Sequence, residues 1–252
     1  RQSLTATQYG GDKAIFGFGT TGSKVSMTNL VSNSGVVATD VAGVGTARNG
    51  LAACSYDSQD KGIFAYGSNA AGTYIGTSNL VSNVGVVATD VTGASEARYL
   101  LAACEFGGDK GIIAFGYGPG HEWQDISNIV SNVGVIASDV AHTGTGRQGP
   151  AGCSYGGDKG IFAYGYIGAP GPGSLNSSQL VSNVGVIGGD VTGVGTARDT
   201  PAGCEYGQDK GIFGYGGGPT NVSNLVSNTG VVAATVTGVG TARHQIGACS
   251  YN

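Results

Sequence analysis

The chain has 252 residues, of which 49 are glycine, 11% are charged and 40% are hydrophobic, and its net charge is -4. This balance excludes a disordered chain, and it disfavours nucleic-acid binding, which needs clustered Lys and Arg. No apolar run approaches the ~20 residues of a membrane helix, so no membrane insertion is expected. Because the first residue is Arg1 and no signal peptide is visible, we expect a processed product or a domain of a longer protein.

A phrase that begins with arginine recurs along the chain with a period of about fifty residues. It reads RNGLAACSYDSQDKGIFAYG from Arg48 and RQGPAGCSYGGDKGIFAYG from Arg147. The complete units start near residues 1, 48, 98, 147 and 198, and a truncated copy, RHQIGACSYN, covers 243–252. The high identity among units indicates recent duplication or consensus design.

One unit reads as four short strands joined by turns. In the second unit these strands are residues 51–56, 62–67, 78–82 and 86–91. The turn between the first two is Gly-Gly-Asp in most of the other units, and such turns suit positive φ. The second strand is rich in aromatic and β-branched residues, as strands are, and we find no helical periodicity.

Four antiparallel strands in a unit of ~40–50 residues are typical of propeller blades. We therefore predict an all-β fold in which residues 1–252 form one five-bladed β-propeller of four-stranded antiparallel blades. A solenoid is the alternative, but solenoid rungs are usually shorter, at ~20–30 residues, and need atypical capping units. Small residues such as Ala52 and Gly152 on the first strands fit a narrow channel, where large side chains would clash.

The two chain ends both carry a first strand, which is one more than five blades need. The copy at 243–252 either closes the blade begun at the N-terminus, or pairs elsewhere while the N-terminal copy keeps its place. Exposed strand edges invite pairing with another chain, so self-assembly through a terminal strand is a further possibility.

The order of features within each unit resembles the kelch repeat. That order is Arg, a small apolar strand, Gly-Asp-Lys, an aromatic strand ending in Gly, a variable loop, and two strands around an Asn-containing turn. The chain departs from the kelch pattern because only Gly216-Gly217 gives its glycine doublet and the fourth strand has no Trp. The resemblance implies a kelch-like propeller whose first strands line the channel. The phrase Tyr-Gly-Gly-Asp-Lys is also similar to repeat proteins encoded by marine phages and environmental bacteria.

Repeated cysteines and charges are interpreted as structural. The five cysteines hold one position in their units, Thr7 replaces them in the first, and no CxxC spacing points to a metal. The repeated Asp-Lys pairs are read as turns, since acid–base catalysis needs one distinctive pair. Asp90 and its equivalents are predicted to pair with the repeated arginines across strands. We expect no catalytic residues, no bound metal and no cofactor.

The variable loops after the second strands are the candidate binding surface, because function usually lies on loops held by a rigid scaffold. In a propeller these loops emerge on one face. Aromatic residues suit interfaces, and an aromatic beside carboxylates suits a sugar, so Trp123 is the leading candidate. The candidate binding residues are Tyr74, Tyr117, His121, Glu122, Trp123 and Tyr166.

These features favour a non-enzymatic binding or structural module that recognises a glycan or a protein. The phage-like resemblance implies a virion fibre or an extracellular component. The alternative is a multivalent lectin whose equivalent sites lie between blades and use repeated residues. An enzyme would need a unique polar cluster near one channel mouth, which the sequence does not reveal.

Overall fold

The computed structural model of the chain describes residues 1–93, 95–120, 122–171, 173–238 and 240–250. Five small antiparallel sheets stand in a ring and form an all-β, five-bladed propeller, which confirms the predicted fold class. Among the described residues, no helix is both long and apolar enough to cross a membrane.

The strands follow the repeat. In blade 1 they are β1 (Thr5–Tyr9), β2 (Lys13–Gly17) and β3 (Thr28–Val31). The second unit has β4 (Arg48–Asn49), β5 (Ala52–Tyr56), β6 (Lys61–Ala65), β7 (Ser68–Asn69), β8 (Thr77–Val81) and β9 (Val91–Thr92). The third has β10 (Ala102–Phe106), β11 (Lys110–Ala114), β12 (Ile126–Val130) and β13 (Val140–Ala141). The fourth has β14 (Ala151–Tyr155), β15 (Lys159–Ala163), β16 (Tyr166–Ile167), β17 (Gly173–Ser174) and β18 (Ser178–Val181). The fifth has β19 (Ala202–Tyr206), β20 (Lys210–Gly214), β21 (Val222–Val226) and β22 (Val236–Thr237).

Blades 2, 3 and 5 have four strands in the orders β5-β6-β8-β9, β10-β11-β12-β13 and β19-β20-β21-β22. Blades 1 and 4 have three, and their fourth strand is reduced to the bridges Thr28–Val41 and Ser178–Val191. The fourth strand is therefore shorter than the sequence predicts: residues 86–91 were expected in blade 2, but β9 is only Val91–Thr92. This outermost strand is exposed, so little packing stabilises a longer ladder.

The core lies between blades. Each of four buried clusters joins one blade to the next, as when Tyr66 and Ile63 of blade 2 pack with Ile113 of blade 3. The first and second strands of a blade pair in one register, with Cys54 opposite Ile63 and Cys104 opposite Ile112. This register places equivalent side chains at each interface.

The five cysteines are free. Three of them occupy the space that a side chain would need at a repeated glycine of the next blade. A Cβ built on Gly111, Gly160 or Gly211 would lie 2.5 Å from the Sγ atom of the preceding blade's cysteine. In the first interface the side chain of Thr7 takes that place against Gly62. A small side chain on one blade thus requires glycine on the next.

We expect Gly160→Ala to lower the free energy of unfolding by about 1–3 kcal/mol, because its new methyl group overlaps Cys104 Sγ. Urea denaturation measures the loss, and Cys104→Ala in the same chain is expected to recover most of it. Gly214→Ala is the control, since no atom lies within 4 Å of a Cβ built there. Equal losses at Gly160 and Gly214 would contradict this account of the interface.

One arginine fills each interface. Arg48, Arg98 and Arg147 are fully buried and Arg198 is 2% exposed. The Arg48 guanidinium lies 4.1 Å from the ring centre of Phe18 in blade 1 and donates to Asn79 Oδ1 in blade 2, at 2.6 Å. The predicted pairing with aspartates is present at Arg48–Asp90, Arg98–Asp139 and Arg147–Asp190. Arg48, Arg98 and Arg147 therefore each link the aromatic residue of one blade to polar side chains of the next. Arg198 lies over Tyr164 and donates to the Thr196 carbonyl.

The aspartate of each Asp-Lys pair lies in the hairpin turn, as interpreted, and the lysine begins the second strand. In blade 2 Lys61 forms its ion pair with Asp57 and not with Asp60. Lys110 Nζ lies 2.6 Å from Asp109 Oδ1, and Asn132 of the same blade donates to the other carboxylate oxygen. Both charged side chains remain partly exposed, so each pair orders a turn and contributes little to stability.

Both chain ends contribute to the channel. β1 keeps its place in blade 1, where it pairs with β2. The truncated copy is not part of that sheet: residues 245–248 line the channel beside it, and Gln245 accepts a hydrogen bond from the Ser3 amide, at 3.0 Å. Six segments, and not five, therefore surround the channel.

Candidate functional site

Aromatic side chains from blades 2 and 3 form a continuous row on one face of the propeller. Tyr74 stacks on Tyr99 with ring centres 5.6 Å apart, and its edge meets Tyr117 at 6.4 Å. Tyr117 in turn lies 5.9 Å from Trp123. These four residues, named here the aromatic ladder, are each half-buried, so their rings are ordered while part of each stays accessible.

Short backbone ladders hold these rings in place. Tyr117 forms β-bridges with both Tyr99 and Trp123, so three adjacent segments are tied together. Tyr99 lies over Gly50, where a Cβ would come within 2.1 Å of its ring. Because Gly50 also lines the channel, the ladder lies at the mouth where the first strands begin.

Trp123 lies at the end of the ladder and reaches the fourth unit. A Cβ on Gly168 would lie 2.6 Å from its Cζ2 atom and 3.6 Å from Tyr166, so a glycine allows the close approach of the indole. The indole Nε1 is buried and has no hydrogen-bond partner among the described residues. The indole thus combines an ordered apolar surface with a donor that the protein itself does not satisfy.

Two carboxylates lie beside this end of the ladder. Gln124 is buried, and its amide donates to Glu122 Oε1 at 3.0 Å and to Glu96 Oε1 at 3.4 Å. Glu122 itself is exposed. The buried amide therefore holds two acceptor groups next to Tyr117 and Trp123.

The structure brings together most of the residues singled out from the sequence. Tyr74, Tyr117 and Trp123 lie in the ladder, Glu122 lies beside it, and Tyr166 lies close to Gly168 under the indole. His121 falls outside the described residues. Tyr99 was missed because it belongs to the repeated phrase, although tyrosine there replaces Asn49, Gln148 and Asp199 of the other units.

Sequence reasoning also missed two glutamates at the opposite mouth. Glu105 and Glu205 line a cavity of about 230 Å³ together with Gln59 and Lys159. Their positions in the repeat hold serine or glutamine in the other units, which is the signal that could have identified them.

The environment of Glu105 disfavours its charge. Burial raises the pKa of Glu105 to about 7, the Glu205 charge adds to this rise, and hydrogen bonds from Ser55 and Gln59 oppose it. Gln59 donates to Glu105 Oε2 at 3.1 Å. Burial also raises the pKa of Glu205. This mouth therefore carries a carboxyl group that titrates near neutral pH.

The sequence matches no protein-family model and no curated protein.

Proposed function

We propose that this propeller is a non-enzymatic binding module that recognises a glycan through the aromatic ladder. A propeller of this kind suits a binding or structural module, because rigid blades present variable loops on one face. The observation that carries the proposal is the row Tyr74–Tyr99–Tyr117–Trp123, ordered by backbone bridges and flanked by Glu96 and Glu122.

The chemistry of the row suits a sugar. An aromatic face or edge offers an apolar surface to the C–H groups of a pyranose, while carboxylates accept hydrogen bonds from its hydroxyl groups. Because three tyrosines and Trp123 form one row, we propose a ligand of several linked residues and not a single monosaccharide.

The lectin alternative, with equivalent sites between blades, has less support. The repeated positions there are filled by the buried arginines and by the aromatic and amide groups that these arginines contact. Following the kelch-like and phage-like resemblances, we place the module on a virion or in an extracellular appendage, where a glycan-binding face would meet a host surface.

Trp123→Ala is expected to weaken binding to a glycan identified on an array by about 30-fold, the loss of a ~2 kcal/mol interface anchor. Trp123 is the single tryptophan of the chain, so its fluorescence in the unchanged protein reports binding directly. Tyr206→Ala is the control, since Tyr206 is exposed and precedes the hairpin turn at the other end of its blade.

An unchanged affinity of the Trp123→Ala variant would contradict a site on the ladder. If no glycan on the array needs Trp123 for binding, but a protein ligand does, then the ligand of the ladder is a protein and not a glycan. Equal weakening by both substitutions would show a general loss of folding.

A further inference from the structure

At each of the four interfaces between neighbouring blades, a turn glycine of one blade lies over an aromatic and an aliphatic side chain of the preceding blade. The interface between blades 4 and 5 is an example. Tyr155, Tyr164 and Leu180 of blade 4 face blade 5. Gly230 of blade 5 lies over Tyr155 and Leu180, so closely that a Cβ would come within 3.0 Å of both. Phe213 of blade 5 packs on Tyr164 with ring centres 5.6 Å apart. These contacts leave Tyr155 3% exposed and Tyr164 fully buried.

Blade 5 has equivalent side chains on the corresponding face, but no further blade in the described part of the chain covers them. Its equivalents of these three residues are Tyr206, Tyr215 and Leu225. Tyr206 is 38% exposed and Leu225 is 43% exposed, and Tyr215 is half-buried. Among the described residues, the buried clusters join blades 1 to 2, 2 to 3, 3 to 4 and 4 to 5, and none joins blade 5 to blade 1.

Blade 1 is uncovered on its opposite face. Phe16 and Asn29 are half-buried, whereas their equivalents in blade 2, Phe64 and Asn79, are fully buried against blade 1. We name the space between this face of blade 1 and the Tyr206–Tyr215–Leu225 face of blade 5 the open seam.

The arginine site of the repeat is divided across the open seam. At the first two interfaces of the ring one arginine contacts both the aromatic residue of one blade and the asparagine of the next. Arg48 does so with Phe18 and Asn79, and Arg98 with Tyr66 and Asn128. At the seam Arg243 lies over Tyr215 at 5.4 Å, while Arg1 donates to Asn29. Both arginines are exposed, so each forms half of an interface that is complete elsewhere.

The channel shows how wide the open seam is. At the start of each first strand, a backbone amide donates a hydrogen bond to a backbone carbonyl of the preceding blade. These bonds are Gly50 to Ser3, Leu100 to Gly50, Gly149 to Leu100 and Thr200 to Gly149. The Ser3 amide donates in the same way to the Gln245 carbonyl. Residues 245–250 therefore occupy a sixth first-strand position between blades 5 and 1. The seam is one repeat wide at the channel.

We propose that the open seam is a binding seat for strands two to four of one further repeat unit, which pair with residues 246–250 and complete a sixth blade. The occupant is a three-stranded segment of the repeat's own sequence. Its turn glycine would cover Tyr206 and Leu225, its second-strand aromatic residue would pack on Tyr215, and its asparagine would accept from Arg243. Its other face would cover Phe16 and offer an aromatic ring to Arg1.

A second whole copy of the propeller does not fit this description. Only one first-strand position separates β19 from β1, and a complete five-bladed ring is wider than that space. Three strands that pair with an available strand edge match both the width of the seam and the contacts that recur at every other interface.

Adding the three proposed strands to the chain tests the proposal. In the fusion, Tyr251 is followed directly by residues 57–93, which continue the phrase Cys-Ser-Tyr as they do in the second unit. We expect a melting temperature several degrees above that of the unextended chain and slow hydrogen exchange at residues 246–250. The same segment, added as a free peptide, is expected to bind with one-to-one stoichiometry in calorimetry.

Two substitutions make the result specific. Leu225→Glu places a charge in the open seam and is expected to abolish the stabilisation of the fusion and to weaken peptide binding at least tenfold. Val231→Glu is the matched control, because this valine is 63% exposed and its equivalents in the other blades are equally exposed. It is expected to leave both measurements unchanged.

A fusion that melts no higher than the unextended chain would overturn the proposal, as would stabilisation that survives Leu225→Glu. Concentration-dependent dimers of the unextended chain that Leu225→Glu abolishes, seen by light scattering, would show that a second copy covers the seam instead. The proposal is independent of glycan recognition, because the ladder lies on blades 2 and 3.

Discussion

Arg147→Ala is expected to lower the free energy of unfolding by about 3–5 kcal/mol, because it empties a fully buried site between two blades and removes donors from buried carbonyl groups. Arg147 is fully buried and donates to the backbone oxygens of Thr145, Tyr164 and Ser177 at 3.0–3.1 Å. Its guanidinium also pairs with Asp190. The substitution would remove a hydrogen-bond donor from three backbone carbonyl groups and from Asp190, which keeps Thr145 and Gln179 as donors. It would also open a cavity between blades 3 and 4.

The repeat supplies a matched control for this experiment. Arg243 holds the same place in its unit and lies over Tyr215, but it is exposed. Arg243→Ala is therefore expected to cost less than about 0.5 kcal/mol. Urea denaturation of both variants measures the difference. A loss at Arg147 no greater than that at Arg243 would show that burial between blades is not what makes the arginine important.

The sequence predicted the blades because the evidence for them is local. Each unit carries its own turn and apolar strands within about fifty residues, and five units were placed in a ring. The contact of Arg48 with Phe18 could not be predicted in this way, since the aromatic residue belongs to the preceding unit. The sixth first-strand position depends on the geometry of the whole ring, and no single unit specifies that.

The candidate site was predicted to a similar extent. Loop variability pointed to Trp123 and Tyr117 on one face, and the structure places them side by side. Tyr99 looked like an ordinary member of the repeated phrase, and only folding brings it onto Tyr74. Glu105 looked like one substitution among serines, because its pKa depends on burial in the channel and on Glu205, a hundred residues away in the sequence.

Glu105→Gln is expected to remove a pH dependence of stability that the unchanged protein shows between about pH 4.5 and pH 7. Burial raises the pKa of Glu105 from 4.5 to about 7 in the folded state. The folded protein then binds a proton at Glu105 that the unfolded chain has released. The contribution of Glu105 to stability is therefore greatest below pH 4.5 and is lost as the pH rises through 7. The full change is about 3 kcal/mol, since one pKa unit corresponds to about 1.4 kcal/mol.

Urea denaturation of both proteins at intervals from pH 4 to pH 8 measures this effect, and the difference between the two curves isolates Glu105. Burial lowers the pKa of His142 to about 4, so the unfolded chain binds a proton at His142 before the folded protein does, and the folded protein is destabilised as the pH falls. This contribution is common to both proteins and cancels in the difference. Because glutamine has the size of a protonated glutamate, the two proteins should be similarly stable at pH 4, and the variant more stable at pH 8. Parallel curves over the whole range would mean that water in the channel mouth solvates the Glu105 carboxylate as well as bulk water does, and that the cavity between Glu105 and Glu205 is open to solvent.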